Sequence, residues 1–94
     1  MELRHAVPAD AEAAARLEAA CFPSAEAASP ASIRARIAAF PEHFWLLFDG
    51  GQLVSMVNGM VTDLPDLTDE MYNDDGLHRE AGAWQMIFSV ATDP

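Results

Sequence analysis

The stretch HFWLLFDGGQLVSMVNGMVT, residues 43–62, limits the possible folds more than any other part of this 94-residue chain. Two apolar runs flank Asp49, Gly50 and Gly51. Glycine accepts the positive φ that tight hairpin turns require, so the stretch predicts a β-hairpin. Both runs are apolar at consecutive positions, which predicts a sheet covered on both faces. Gly59, late in the second run, predicts a bulge or the close approach of another segment.

The remaining elements fall around this hairpin. ELRHAV, residues 2–7, predicts a short strand, and Pro8 suits the first turn of a helix after it. ADAEAAARLEAACF is alanine-rich and helical, with Ala13, Leu17 and Cys21 on one face. Pro23 and two serines make residues 22–29 a loop. Ser29 is the expected N-cap of a second helix, with Pro30 at its first position. Ile33, Ile37 and Phe40 form the apolar stripe of that helix, Arg34 and Arg36 lie off it, and Pro41 ends it. Residues 63–82 are polar and turn-rich, with one short helix over residues 67–72. AWQMIFSVATDP then predicts a further two-sided apolar strand.

The predicted order is β-α-α-β-β-β, an α+β arrangement. Its sheet is mixed, mostly antiparallel, with two helices on one face. The second face lacks a helix, and the last strand is a bare apolar edge. One domain is the most that 94 residues allow.

Composition narrows the function classes. The formal net charge is −10, and every basic side chain other than histidine is an arginine. Nucleic-acid binding needs clustered positive charge and is not expected. Cys21 is the only cysteine, which excludes an internal disulfide and a cysteine zinc cluster. The N-terminus has no apolar signal-peptide core, and no run is long enough to span a membrane, so a cytoplasmic protein is expected. The carboxylates of residues 63–80 lack the spacing of a calcium loop, and no metal is expected.

Three stretches, LEAACFPSAEAAS, FWLLFDGGQLVSMVNGMVTD and LTDEMYNDDGLHREAGAWQMIFSVATDP, together resemble the first part of a GNAT-superfamily N-acetyltransferase. Within that superfamily the chain is most similar to the arylalkylamine (serotonin-type) relatives. The resemblance implies a partial GNAT fold, with residues 1–94 as the N-terminal part of a single domain. In such proteins a Gly-rich loop after the fourth strand holds the pyrophosphate of acetyl-CoA at a helix N-terminus. The resemblance places that loop, and everything after it, beyond Pro94. It implies acetyl transfer from acetyl-CoA to a primary amine, a small arylalkylamine or polyamine, and an inactive chain when these residues stand alone.

Acetyl transfer needs a base for the amine, a donor for the oxyanion and a proton for the leaving thiolate. Glu26, on the loop between the helices, is the first candidate base, as a glutamate at a similar place serves insect members of the family. Otherwise it is a solvated, helix-flanking carboxylate. His78 is the second candidate because histidine titrates in the useful range. The plainer reading is a surface histidine that orders its loop. His5 and His43 read as structural. Vertebrate relatives relay the proton through two histidines on the fourth strand; those positions look like Gln85 and Ile87 here, and neither is a base. The resemblance also implies that backbone groups of Phe88, Ser89 and Val90 hold the pantetheine arm and thioester of the cofactor. Phe22, Met60 and Trp84 are candidate walls of an aromatic-amine pocket, or else plain core. The alternative function is a truncated, non-enzymatic module that dimerises or binds a partner through its bare sheet face and edge strand; a second copy or the missing C-terminal half would complete the sheet.

Overall fold

A computed structural model of the chain describes residues 1–64, 67–68, 71–72 and 75–93. The chain opens with strand β1 (Glu2–His5). A 3₁₀ turn (Pro8–Asp10) leads into helix α1 (Ala11–Cys21). Helix α2 (Pro30–Ala39) comes next, and the Ser29 hydroxyl accepts from the Ser32 N–H at 3.1 Å as its N-cap, with Pro30 in the first turn. Strands β2 (Phe44–Asp49) and β3 (Gln52–Asn58) form the predicted hairpin. Gly50 and Gly51 both have positive φ, 59° and 82°, the twist that a two-residue turn between right-handed strands needs.

The predicted last strand is broken in two. Strand β5 (Trp84–Gln85) pairs antiparallel with the short strand β4 (Val61–Thr62). Strand β6 (Ser89–Thr92) pairs antiparallel with β3. Gly59 is the reason. A Cβ there would lie 1.8 Å from the Met86 carbonyl oxygen, so the two chains cross in contact where one sheet gives way to the other. The close approach predicted for Gly59 is present. The short helix expected over residues 67–72 falls partly outside the described residues; Met71 and Tyr72 are helical.

Among the described residues the main sheet runs β1-β2-β3-β6, all antiparallel. Its inner face carries Phe44, Leu46, Met56 and Ala91, which pack on Ala14 and Leu17 of α1 and Ile33 and Ile37 of α2. Both helices therefore lie on one face, as expected. The outward-facing positions are Leu3, Trp45, Leu47, Val57 and Val90, placed together by register. Leu3 is 69% and Val90 60% exposed, so this apolar face is bare of any described helix. A second, smaller core of Phe40, Met60, Met71 and Met86 lies under the β4–β5 pair, flanked by Leu77 and Phe88. No helix among the described residues is long and apolar enough to cross a membrane.

The apolar face of α1 is rotated from the predicted one. Ala11, Ala14, Leu17 and Glu18 are buried, while Ala13 and Cys21 are not fully so. In α2 the stripe of Ile33 and Ile37 holds, but Arg36 is buried beside it rather than off it.

Candidate functional site

Two buried charges sit at the seam between the helices and β6. Glu18 is 4% exposed and Arg36 5%. Neither stands out in the sequence, where residue type marks both as positions turned to solvent. Burying a charge without partners is costly, so their surroundings carry the meaning.

Glu18 has a partner on each oxygen. The Ser89 hydroxyl donates to its Oε1 at 2.8 Å, and the Ala28 N–H donates to its Oε2 at 2.9 Å. The carboxylate thus ties α1 to β6 and to the loop before α2. Arg36 is less satisfied. Its Nη1 donates to Asn58 Oδ1 at 3.0 Å, but among the described residues its Nε–H has no partner, and neither has Asn58 Nδ2. Its guanidinium stands over the rings of Phe88 (5.0 Å) and Tyr72 (5.8 Å). Burial pushes the Arg36 guanidinium below its ordinary value, and Glu18 and then Tyr72 push back. The two charges form no direct ion pair.

A cavity of about 680 Å³ opens over this seam. Arg36, Glu18, Phe88 and Tyr72 line it together with Phe22, residues 25–29 and Ser32. Its negative group takes one donor on each oxygen. Its positive group keeps a donor in hand. The cavity thus has a buried cation in its lining, with an N–H that is closed to solvent and unpaired among the described residues.

The predicted site residues divide. Glu26 and Phe22 line the cavity, Glu26 as an exposed side chain of the 22–29 loop. Phe88 lines it, and Ser89 is buried on Glu18. Val90 points its side chain outward on β6. Strand β6 is the outer strand of the described sheet, so one row of its backbone groups meets no other described strand. Met60 and Trp84 do not join Phe22. Met60 is sealed in the second core, and Trp84 is 50% exposed on β5. Residue type alone suggested both, and the Gly59 crossing carries them away from the cavity.

His78 also lies elsewhere, and it is not the surface histidine its loop implied. Its side chain is 10% exposed, stacked against Phe40 at 5.2 Å between ring centres. The Val61 N–H donates to its Nδ1 at 3.0 Å, and its Nε2 is 2.8 Å from Glu80 Oε2. His43 meets the same carboxylate, Nε2 to Oε1 at 3.0 Å, so it is more than a bystander. Glu80 is held below the usual carboxylate range by the hydrogen bonds from His43 and then His78. One ligand-type atom from each of the three residues lies within 4.8 Å of the others. The donor chemistry does not suit a metal. A metal on His78 Nε2 would need a proton on Nδ1, where the Val61 N–H already points.

No known family profile matches the sequence, and no curated protein does. Solved structures do. GphF, a GNAT-like decarboxylase in complex with isobutyryl-CoA, matches all of this chain with a TM-score of 0.88 and 28% identity. The loading GNATL domain of CurA from Lyngbya majuscula matches 99% of it, with a TM-score of 0.87 and 23% identity. The chain spans about half of each, 49% and 48% of their lengths. The arylalkylamine likeness finds no support in these neighbours, but the superfamily does: the chain folds as part of a GNAT-like domain.

Proposed function

We propose that this chain forms the acyl-binding part of a GNAT-like domain that works on an acyl-CoA whose acyl group carries a carboxylate. The observation that carries this reading is Arg36, a buried cation lining the cavity with an unpartnered N–H among the described residues. A carboxylate in the cavity answers its charge, and a bidentate contact is the geometry that guanidinium favours. A protonated amine would instead face like charge. A decarboxylase necessarily starts from such an acyl group, and the GphF likeness supports that class. In this reaction the bond to the carboxylate carbon breaks, CO₂ leaves, and the electron pair passes into the thioester enolate, which then takes a proton. The backbone from Phe88 to Val90, beside the cavity and along the outer strand of the described sheet, is the proposed hold on the pantetheine arm, although the Phe88 N–H is already given to the Asn58 carbonyl at 2.7 Å. Residues 1–94 are then the N-terminal part of one domain, with the pyrophosphate loop in the remainder.

A second reading keeps acetyl transfer from acetyl-CoA to a small amine, with Glu26 as base. The place of Glu26 on the cavity rim favours it. The bare face around Leu3 and Val90 equally fits a non-enzymatic dimer.

The test is chemical-shift mapping of the chain with malonyl-CoA, acetyl-CoA and phenethylamine in turn. The expected result is a response of the Arg36 Nε–H and the Phe88 amide to malonyl-CoA, at least about tenfold tighter than to acetyl-CoA. Response at Glu26 to the amine alone would favour the second reading. A dimer that ignores all three ligands would favour the third.

A further inference from the structure

The His43–Glu80–His78 group lies outside the cavity, and nothing in the proposed reaction uses it. Its proton arrangement can be read from its fixed neighbours. The Gln85 amide donates to the carbonyls of Gly59 (3.0 Å), Met60 (3.3 Å) and Met86 (2.8 Å). That pins its Oε1 toward His43 Nδ1 at 2.7 Å, so Nδ1 carries a proton. Glu80 accepts only, so His43 Nε2 carries one as well. His78 Nδ1 accepts from the Val61 N–H, so its proton sits on Nε2 and goes to Glu80.

We propose that His43, Glu80 and His78 form a proton-set clasp that fastens the 77–88 segment to the start of β2 and completes only with two ring protons on His43 and one on His78. Removing a proton from His43 leaves Gln85 or Glu80 without its donor. Adding one to His78 sets two N–H groups against each other at Val61. Each departure breaks one bond, so the clasp is complete in one protonation state alone. The other charged groups around it, among the described residues, are few. Glu42 adjoins His43 in the chain, and Arg79 lies between His78 and Glu80; both are exposed. From β1, His5 reaches the ring of Trp45, which meets His43 edge-on at 6.0 Å between ring centres.

The clasp has a route to the cavity. His78 stacks on Phe40, Phe40 meets Phe88 edge-on at 6.2 Å, and Phe88 lines the cavity beside Arg36. The segment it holds also carries the β4–β5 pairing and the Arg79 N–H bond to the Val61 carbonyl. Opening therefore loosens one wall of the cavity, whatever the cavity binds.

Imidazole ¹⁵N spectra and amide hydrogen exchange of the chain across pH 4 to 9 test this. The expected result is His78 in the Nε2–H form, with protection of the Val61 amide, corrected for intrinsic rate, passing through a maximum with pH and falling about tenfold on either side. Glu80→Gln should flatten that peak while the Leu46 amide, in the main sheet, keeps its protection. Gln85→Leu gives a second variant should Glu80→Gln unfold the segment, with the same flattening expected. Protection that is flat with pH in the unaltered chain, a His78 proton on Nδ1, or stoichiometric Zn²⁺ binding that shifts both rings would each overturn the clasp.

Discussion

The Ser89 hydroxyl donates to Glu18 Oε1 at 2.8 Å, joining β6 to α1 across the inner face of the sheet. The same carboxylate takes the Ala28 N–H on its other oxygen. Glu18→Ala leaves the buried Ser89 hydroxyl and the part-buried Ala28 N–H unmatched. The expected loss is about 2–4 kcal/mol by urea unfolding, as hydrogen bonds to a charged group are strong and orphaned donors costly. Glu18→Gln keeps an acceptor and should lose less than half of that.

Arg36 should separate stability from binding. Its burial already works against the charged form. Arg36→Met keeps the volume and removes the desolvated cation. Made together with Asn58→Leu, so that no buried acceptor is left without its donor, such an exchange is often near neutral, and stability should stay within about 1 kcal/mol. The preference for a carboxylated acyl-CoA should vanish. Arg36→Lys, a point charge without the planar fork, should recover only part of it.

Gly59 and Gly51 should respond differently to alanine. At Gly59 the added Cβ meets the Met86 carbonyl, a backbone atom that cannot swing aside. The expected cost is about 3 kcal/mol or more, with loss of the β4–β5 pairing. At Gly51 there is open space, and only the φ of 82° opposes the change. About 1–2 kcal/mol is expected there, measured by the same unfolding curve.

Asp10 gives a pH dependence with a definite sign. Arg4 donates to both its oxygens, at 2.8 and 2.9 Å, and the Val7 N–H adds a third bond. The Arg4 hydrogen bond, with that of Val7, holds the Asp10 carboxyl below its usual range. A lowered carboxyl stabilises the fold above its unfolded value and ceases to do so as pH falls through the folded one. The contribution is therefore intact at neutrality and fades below about pH 4. Asp10→Asn should lower the melting temperature at pH 7, and the difference from the unaltered chain should shrink toward pH 2.

Legibility in the sequence divides along physical lines. The hairpin, the Ser29 cap and the crowding at Gly59 are each marked by residue types at the position itself, and each is readable. Glu18 and Arg36 escape notice although their spacing holds the clue. Arg36 lies three residues after Ile33 and four before Phe40, and Glu18 lies four after Ala14, so each belongs to its helix's inward stripe. A charged residue type outweighs that position when the sequence is read alone. His43 escapes for a different reason: its partners Glu80 and Gln85 come 37 and 42 residues later, beyond any local pattern. The strand over residues 84–92 reads as one because its apolar run is continuous. Only the Gly59 contact with Met86 shows where it must break.

The Glu18–Ser89 bond spans 71 positions of the chain. During synthesis α1 emerges long before Ser89 does, and until then only water and the Ala28 N–H can meet its carboxylate. The helix pair therefore cannot settle onto the sheet until β6 has left the ribosome. A ribosome stalled before residue 89 should expose a nascent chain that proteases cut freely, and emergence of β6 from the exit tunnel should make it resistant in a single step.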